Sequence, residues 1–162
     1  MSGNVNIYQV ELDVPHDLDG KLTASSLILA DMIEKLPARQ IGGTMFAIGD
    51  SKVRPRVGST FSSGEKLGAY LQVYNLTPDA ITEKPSGSVE YEIDLAQTGA
   101  RVLDILQDLG TIEYASASQV TIQKLLPLAT FAPGNYTLKI TVTDRNGNQT
   151  VQRQENFVVS PQ

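Results

Sequence analysis

Three carboxylates lie close together in one short polar segment near the start of the chain: Asp13, Asp17 and Asp19. Carboxylate oxygens are the ligands that calcium prefers, and each ion takes about six to eight oxygens. An EF-hand loop would carry a glutamate at its twelfth position, but counting from Asp13 or Asp17 that residue is Ala24 or Ile28. The sequence therefore favours a solvated turn and leaves a calcium site at a domain junction as the alternative.

Catalytic groups are sparse. The chain has one histidine, His16, and the nearest serines, Ser25 and Ser26, lack the pattern of a nucleophile elbow. A row of carboxylates on one predicted strand could serve a glycosidase: Glu90, Glu92 and Asp94. Because they alternate along the strand they point to the same side, where a solvated face explains them. We therefore predict that the protein is not an enzyme and holds no cofactor.

Tyr70 and Tyr74 are the best candidates for ligand binding. They lie four residues apart in a predicted strand and share one face, which would make a short aromatic platform for a glycan. The simpler interpretation is that both rings cover the face of a sheet. Carbohydrate binding is therefore the alternative to a structural role.

Composition narrows the class of partner. The net charge of -5 and the pI near 4.8 come without a basic cluster, which argues against nucleic acid, since phosphates must be neutralised by Lys and Arg. No apolar run is long enough to cross a membrane, so we expect no membrane insertion. The absence of cysteine excludes disulfides and thiolate zinc sites.

The elements that must position these residues are strands. Residues 89–95 alternate apolar and acidic side chains, and residues 67–73 read as a central strand. Tyr136 follows Pro133-Gly134-Asn135, as a corner tyrosine whose hydroxyl bonds to the backbone would. A closing hairpin is predicted around Asn146-Gly147. These features indicate an all-β fold, an immunoglobulin/fibronectin-III-like β-sandwich.

Two segments are ambiguous. Residues 22–36 fit a strand through Ala30 followed by a turn or short helix, but also a helical stripe. Residues 101–109 allow a helix or a strand with Val102 outward and Leu103 inward, and the all-β context favours the strand. Pro37 to Thr44 is the best linker candidate. Residues Tyr8 to Val14 alternate apolar and polar side chains and are predicted to form a strand with one buried face. We therefore divide the chain into 1–42, an N-terminal two-strand appendage, and 43–162, the sandwich.

Parts of the chain resemble the C-terminal Ig-like region of bacterial proteins with a GWxTD-motif domain, which are best known from acidobacteria. The resemblance is carried by residues 22–30, by Phe46 to Pro55, by Leu71 to Asn75 and by Pro133 to Asp144. The GWxTD motif itself is absent, and the chain has no Trp. The resemblance implies an exported, non-catalytic sandwich, periplasmic or secreted, that is part of a larger protein. It carries over no catalytic or binding residue.

The resulting expectation is a structural or protein-interaction module that works through its sheet edges. The segment 1–42 would be the end of a preceding sandwich, and a two-stranded ribbon is marginal alone. It must pack on the main domain, pair with another chain or fray. We therefore expect a protein partner, or self-association through the N-terminal strands.

Overall fold

The computed structural model describes residues 20–36, 47–48, 51–112 and 116–161 of the chain. Within these ranges the backbone forms strands and two short 3-10 turns, Val57–Ser59 and Leu109–Thr111, and no α-helix. The strands are β1 (Thr23–Ala24), β2 (Ile28–Lys35), β3 (Ala47–Ile48), β4 (Ser51–Pro55), β5 (Thr60–Ser62), β6 (Lys66–Tyr74), β7 (Gly87–Leu95), β8 (Arg101–Asp108), β9 (Gln119–Pro127), β10 (Gly134–Asp144) and β11 (Gln149–Ser160). The predicted all-β class is confirmed.

The strands form two sheets that pack face to face. In sheet A, β9 runs along one side of β6, β1 and β2 run along the other side, and β4 and β3 follow β2. Sheet B has the order β5–β11–β10–β7–β8, with β5 parallel to β11 and the other neighbours antiparallel. This arrangement is consistent with the predicted immunoglobulin/fibronectin-III-like sandwich.

The core lies between the sheets and follows the period-two pattern of the sequence. The register of β7 and β10 places Tyr91 opposite Ile140 and Ile93 opposite Leu138, so these four side chains point to the same side and are buried. Sheet A covers them with the alternate residues of β6: Leu67, Ala69, Leu71 and Val73. Each fully buried apolar side chain contributes about 1.5–3 kcal/mol. The inward faces predicted for residues 67–73 and 89–95 are confirmed.

The described part of the N-terminal segment belongs to the sandwich. Strand β1 pairs with residues 73–74 of β6, and β2 pairs with residues 68–70 of the same strand. The side chains of Leu22, Ala24, Leu27 and Leu29 lie in the main core. Of the three outcomes expected for this segment, packing on the main domain is the one that residues 20–36 take. The other predicted strand of the appendage, Tyr8 to Val14, and the linker at 37–44 lie outside the described residues.

The strand predicted through Ala30 is confirmed only in part, because β1 ends at Ala24 and β2 begins at Ile28, and the turn or short helix expected after Ala30 is wrong. Strand β2 continues to Lys35, with an irregularity between Ala30 and Met32, and its second half pairs with β4. The reason is tertiary: pairing with β4 satisfies the backbone groups that a helix would have satisfied locally, so the helical spacing of the apolar residues is overridden.

The strand interpretation of residues 101–109 is also confirmed. Strand β8 pairs along β7, with Leu103 and Ile105 packed against the core. Val102 is half exposed, as predicted for its outward position. Pairing with β7 from Arg101 to Asp108 favours the strand, because it satisfies the backbone groups of this segment and turns Leu103 and Ile105 toward the core.

The closing hairpin forms around Asn146-Gly147 as predicted, although its loop is longer than two residues. The pairing of β10 with β11 ends at Asp144 and Gln149. The buried carboxylate of Asp144 accepts hydrogen bonds from the backbone N–H groups of Thr77, at 2.9 Å, and Asn146, at 3.1 Å. The hydrogen bond to Thr77 thereby links the end of β10 to the segment that follows β6.

Candidate functional site

One side of the sandwich carries two long edge strands. Strand β8 is the last strand of sheet B, and β9 pairs only with β6 among the described residues. Lys124 of β9 reaches across to sheet B, with its Nζ 3.4 Å from Oε1 of Gln107 and 5.3 Å from the ring centroid of Tyr91. We call this side, formed by β8 and β9, the open edge.

On the opposite side both sheets end in a short strand. Sheet A ends in β3 and sheet B ends in β5, and these strands have two and three residues, whereas β8 has eight. In an edge strand alternate N–H and C=O groups point away from the sheet and can pair with another chain. The open edge therefore offers β8 and β9 as templates for an added strand. In sheet B the pairing with β5 covers only residues 158–160 of β11, so the described residues 149–157 form a further edge, whose exposed side chains are all polar or charged.

Strand β8 combines buried and exposed apolar residues. Its inward positions, Leu103 and Ile105, hold it on the sandwich. Leu106 is 70% exposed and Val102 is 50% exposed. The register pairs Ile93 with Leu103 and Asp94 with Arg101, which leaves Val102 without an opposite residue on β7, as in a β-bulge. Exposed leucine and valine on a strand with a free edge are typical of a contact surface.

The outer face of sheet B beside β8 is acidic, and its two cations are already paired. Glu92, only 8% exposed, forms ion pairs with Arg101 and with Lys139, whose Nζ lies 2.5 Å from Oε2. Arg101 also contacts Asp94 at 2.5 Å and Asp104 at 3.3 Å. The hydrogen bond to Asp94, together with the charges of Glu92, Asp94 and Asp104, raises the pKa of Arg101.

This network corrects one sequence-based interpretation. Glu92 was expected on a solvated face with Glu90 and Asp94, but it is buried beneath two cations. The correction arises because its cross-strand neighbour on β10 is Lys139, a pairing that the sequence of β7 alone does not show. Five carboxylates share this face with the two cations Arg101 and Lys139, so it keeps a net negative charge although Asp104 contacts Arg101. The five are Glu90, Glu92, Asp94, Asp104 and Asp108.

A cavity of about 440 Å³ borders the beginning of β8. Apolar side chains supply much of its wall: Leu95, Val102, Phe131, Pro133 and Tyr136. The hydroxyl of Tyr136 donates a hydrogen bond to the carbonyl oxygen of Ala132 at 2.7 Å, as predicted for the corner tyrosine. Because this bond occupies the hydroxyl, the tyrosine presents its ring rather than a reactive group to the cavity.

A second cavity, of about 340 Å³, shares Asn135 and Tyr136 with the first and extends toward Val158. Among the described residues that line the two cavities there is no Asp, Glu, His, Lys or Arg. An acid, a base or a charged nucleophile would have to come from elsewhere. The arrangement suits the binding of apolar groups.

The two candidate tyrosines share the outer face of sheet A, as predicted. Tyr70 is 2% exposed and packs in a small cluster with Ala30 and Val53. Tyr74 is half buried and donates its hydroxyl to Gln72, and burial raises its pKa. A stacking platform needs ring faces open to solvent, and Tyr70 has none in this conformation. The prediction of glycan binding therefore rests on Tyr74.

The predicted calcium ligands Asp13, Asp17 and Asp19 lie outside the described residues, as does His16. In the described ranges no group of three or more His, Cys, Asp or Glu side chains is arranged to hold a metal ion. Nor do these ranges contain a helix with the length and apolar character to span a membrane. The calcium site stays a prediction.

Sequence reasoning predicted edge-strand pairing but did not locate the edge or the cavity. The sequence does contain a sign of the exposed edge strand. Leu106 lies two residues from Asp104 and from Asp108, so in a strand this apolar residue shares the outward face with two acidic residues. The cavity left no such signal, because its wall combines residues from two segments about 35 positions apart.

No protein-family model matches the chain, and a search of curated proteins found no match. The resemblance to the Ig-like region of GWxTD-motif proteins stays a prediction.

Proposed function

We propose that this protein is a non-catalytic protein-interaction module that binds an extended segment of a partner along β8. The observation that carries the proposal is an eight-residue edge strand with two exposed apolar side chains, Val102 and Leu106. Addition of a strand gives affinity through main-chain hydrogen bonds, and pockets beside the edge give specificity.

Export to the periplasm or the exterior, as part of a larger protein, belongs to the same proposal and is supported by the resemblance noted above. The absence of charged groups in the two cavities supports a binding role over catalysis. Self-association through the N-terminal segment would use residues before Gly20. Residues 22–29 contribute to the main core and could leave it only at the cost of several buried leucines.

The proposal is tested by selecting short random peptides that bind the chain, and then mapping each peptide by backbone amide hydrogen exchange. We expect slower exchange along β8 in the complex, because new cross-strand hydrogen bonds protect its amides. Leu106→Lys should weaken the selected peptides, whereas Leu125→Lys, the matched change at an exposed leucine on β9, should not. Protection confined to β9 or to the loops would refute binding along β8.

Glycan binding is the second candidate, and Tyr74 supports it less strongly. Affinity electrophoresis in polysaccharide gels compares the chain with Tyr74→Ala. If polysaccharide slows the native chain but not the variant, the result would favour carbohydrate binding. If the native chain moves equally fast with and without polysaccharide, carbohydrate binding would be refuted.

A further inference from the structure

We propose that the occupant of β8 is an extended segment of a partner protein that alternates basic and apolar residues and places one bulky apolar side chain in the cavity beside Val102. This inference rests on the proposed function, since it specifies what the β8 edge binds. Three observations carry it: the cavity that continues from the strand, the exposed leucine on the strand and the acidic surroundings.

The cavity supports an apolar anchor. Its volume of about 440 Å³ lies within the range typical of ligand sites, about 300–1,000 Å³. Val102 belongs to the strand and to the cavity wall at once, so a chain paired with the start of β8 passes the cavity mouth. The rings of Phe131 and Tyr136 lie 5.3 Å apart in an edge-to-face contact and offer an aromatic wall. An aromatic or large aliphatic side chain fits this chemistry.

The outward face of β8 supports basic neighbours. Asp104, Leu106 and Asp108 alternate with inward residues, so an added strand would bring side chains beside two carboxylates and the leucine between them. The side chain of Asp104 is about half exposed although it contacts Arg101 at 3.3 Å, and Glu90 lies opposite Leu106 on β7. Opposite charges facing each other across strands are favourable and like charges are unfavourable. Lysine or arginine at the positions facing the carboxylates is therefore favoured.

The same charges disfavour a second copy of this chain. Two β8 strands placed side by side would bring Asp104 and Asp108 of one copy near the acidic residues of the other. The predicted strand Tyr8 to Val14 carries Glu11 and Asp13 at its polar positions, so it too would place acid against acid. Repulsion of this kind selects against the wrong partner, and it favours a basic protein segment over self-pairing.

The test uses the full chain and a synthetic peptide as long as β8, in which lysine and valine alternate and one terminal residue is phenylalanine. Two versions place the phenylalanine at either end, to cover both strand directions. In a matched peptide glutamate replaces lysine, and in a third alanine replaces phenylalanine. Fluorescence anisotropy measures affinity at low and high salt. We expect the glutamate peptide to bind at least about tenfold more weakly, the alanine peptide to bind severalfold more weakly, and high salt to weaken the lysine peptide.

In the Asp104→Lys variant, the difference in affinity between the lysine peptide and the glutamate peptide should become smaller or change sign. Glu155→Lys makes the same charge change at an exposed position of β11 and should leave the preference unchanged. Thermal unfolding of both variants checks that they remain folded.

Hydrogen exchange of the complex separates the two proposals. Equal binding of all peptides along β8 would overturn this inference and leave the proposed function intact. Protection elsewhere in the sandwich would overturn both, and failure of the lysine peptides to bind would overturn the inference.

Discussion

The guanidinium of Arg153 on β11 donates a hydrogen bond to the main-chain carbonyl of Ala24 on β1 at 2.6 Å. A second bond, from Nε to the carbonyl of Ser25 at 3.1 Å, joins β11 to the residue that follows β1. Since β11 belongs to sheet B and β1 to sheet A, one side chain ties the N-terminal segment to the opposite sheet. Nearby, the backbone N–H of Leu22 donates to Oε1 of Gln149 at 3.0 Å.

Arg153→Ala should therefore loosen the N-terminal segment. Hydrogen bonds that involve a charged group contribute about 1.5–3 kcal/mol, and partial exposure of Arg153 places the expected loss of unfolding free energy at the low end of this range. Denaturant unfolding measures the loss, and hydrogen exchange should show faster exchange at residues 22–25. Arg145→Ala, which removes one long contact to Ser86 at 3.5 Å, is the matched control and should change little. Equal effects of the two substitutions would contradict the role given to Arg153.

The corner tyrosine gives a second prediction. Tyr136→Phe removes the donor to Ala132 and keeps the ring, which stacks on Phe157 at 5.5 Å. The carbonyl of Ala132 loses its partner, so the unfolding free energy should fall by about 1–2 kcal/mol. Tyr74→Phe removes a hydroxyl that donates to Gln72 on a half-exposed face and should cost less. Denaturant unfolding measures the loss of unfolding free energy in both variants. A larger loss for Tyr74→Phe than for Tyr136→Phe would contradict the stabilising role given to the corner hydrogen bond.

The closing hairpin depends on a close approach at Gly147. A Cβ at this position would lie 2.5 Å from Oγ1 of Thr77 and closer still to Oδ2 of Asp144. Gly147→Ala must therefore displace the buried carboxylate from its backbone donors, and we expect a loss of about 2–3 kcal/mol. Gly134→Ala is the control, because its Cβ would meet its neighbours only at 3.7 Å or beyond. Thermal unfolding that ranks Gly134→Ala as the more harmful change would contradict this account.

Asp31 should make the free energy of unfolding depend on pH. Burial alone would raise its pKa, but the hydrogen bond and charge of Arg54, at 2.6 Å, and those of Arg56, at 3.4 Å, outweigh burial and hold the pKa below its usual 3.8. A carboxyl with a lowered folded-state pKa stabilises the protein above its unfolded-state pKa, and this contribution is lost as the pH falls through the folded value.

The difference in unfolding free energy between the native chain and Asp31→Asn should therefore be largest near neutral pH. It should shrink progressively below about pH 4. Urea unfolding at several pH values measures it, and high salt at neutral pH should also reduce it, because the pair is partly exposed. A difference that grows on acidification would have the wrong sign for this ion-pair cluster.

Local pattern was sufficient for the features that depend on period-two burial and turn chemistry. Leu138, Ile140 and Val142 point inward because their spacing matches the pleat, and Tyr136 forms its corner bond four residues back along the chain. Asn146-Gly147 turns the hairpin. In each case the interacting residues are close in sequence, so spacing and residue type carry the information.

The remaining features depend on contacts between distant parts of the chain. Strand β2 runs past Ala30 because β4 pairs with it, Glu92 is buried because β10 places Lys139 opposite, and Tyr70 is covered by residues of two other strands. The cavity beside Val102 exists because the corner loop lies against the start of β8. The alternation of apolar and polar residues is a local property, so an all-β chain, its inward faces and its turns can be predicted from the order of residues alone. Which strands become neighbours and which edge stays open depend on long-range pairing, where several arrangements satisfy the same local pattern and packing of the whole core selects among them.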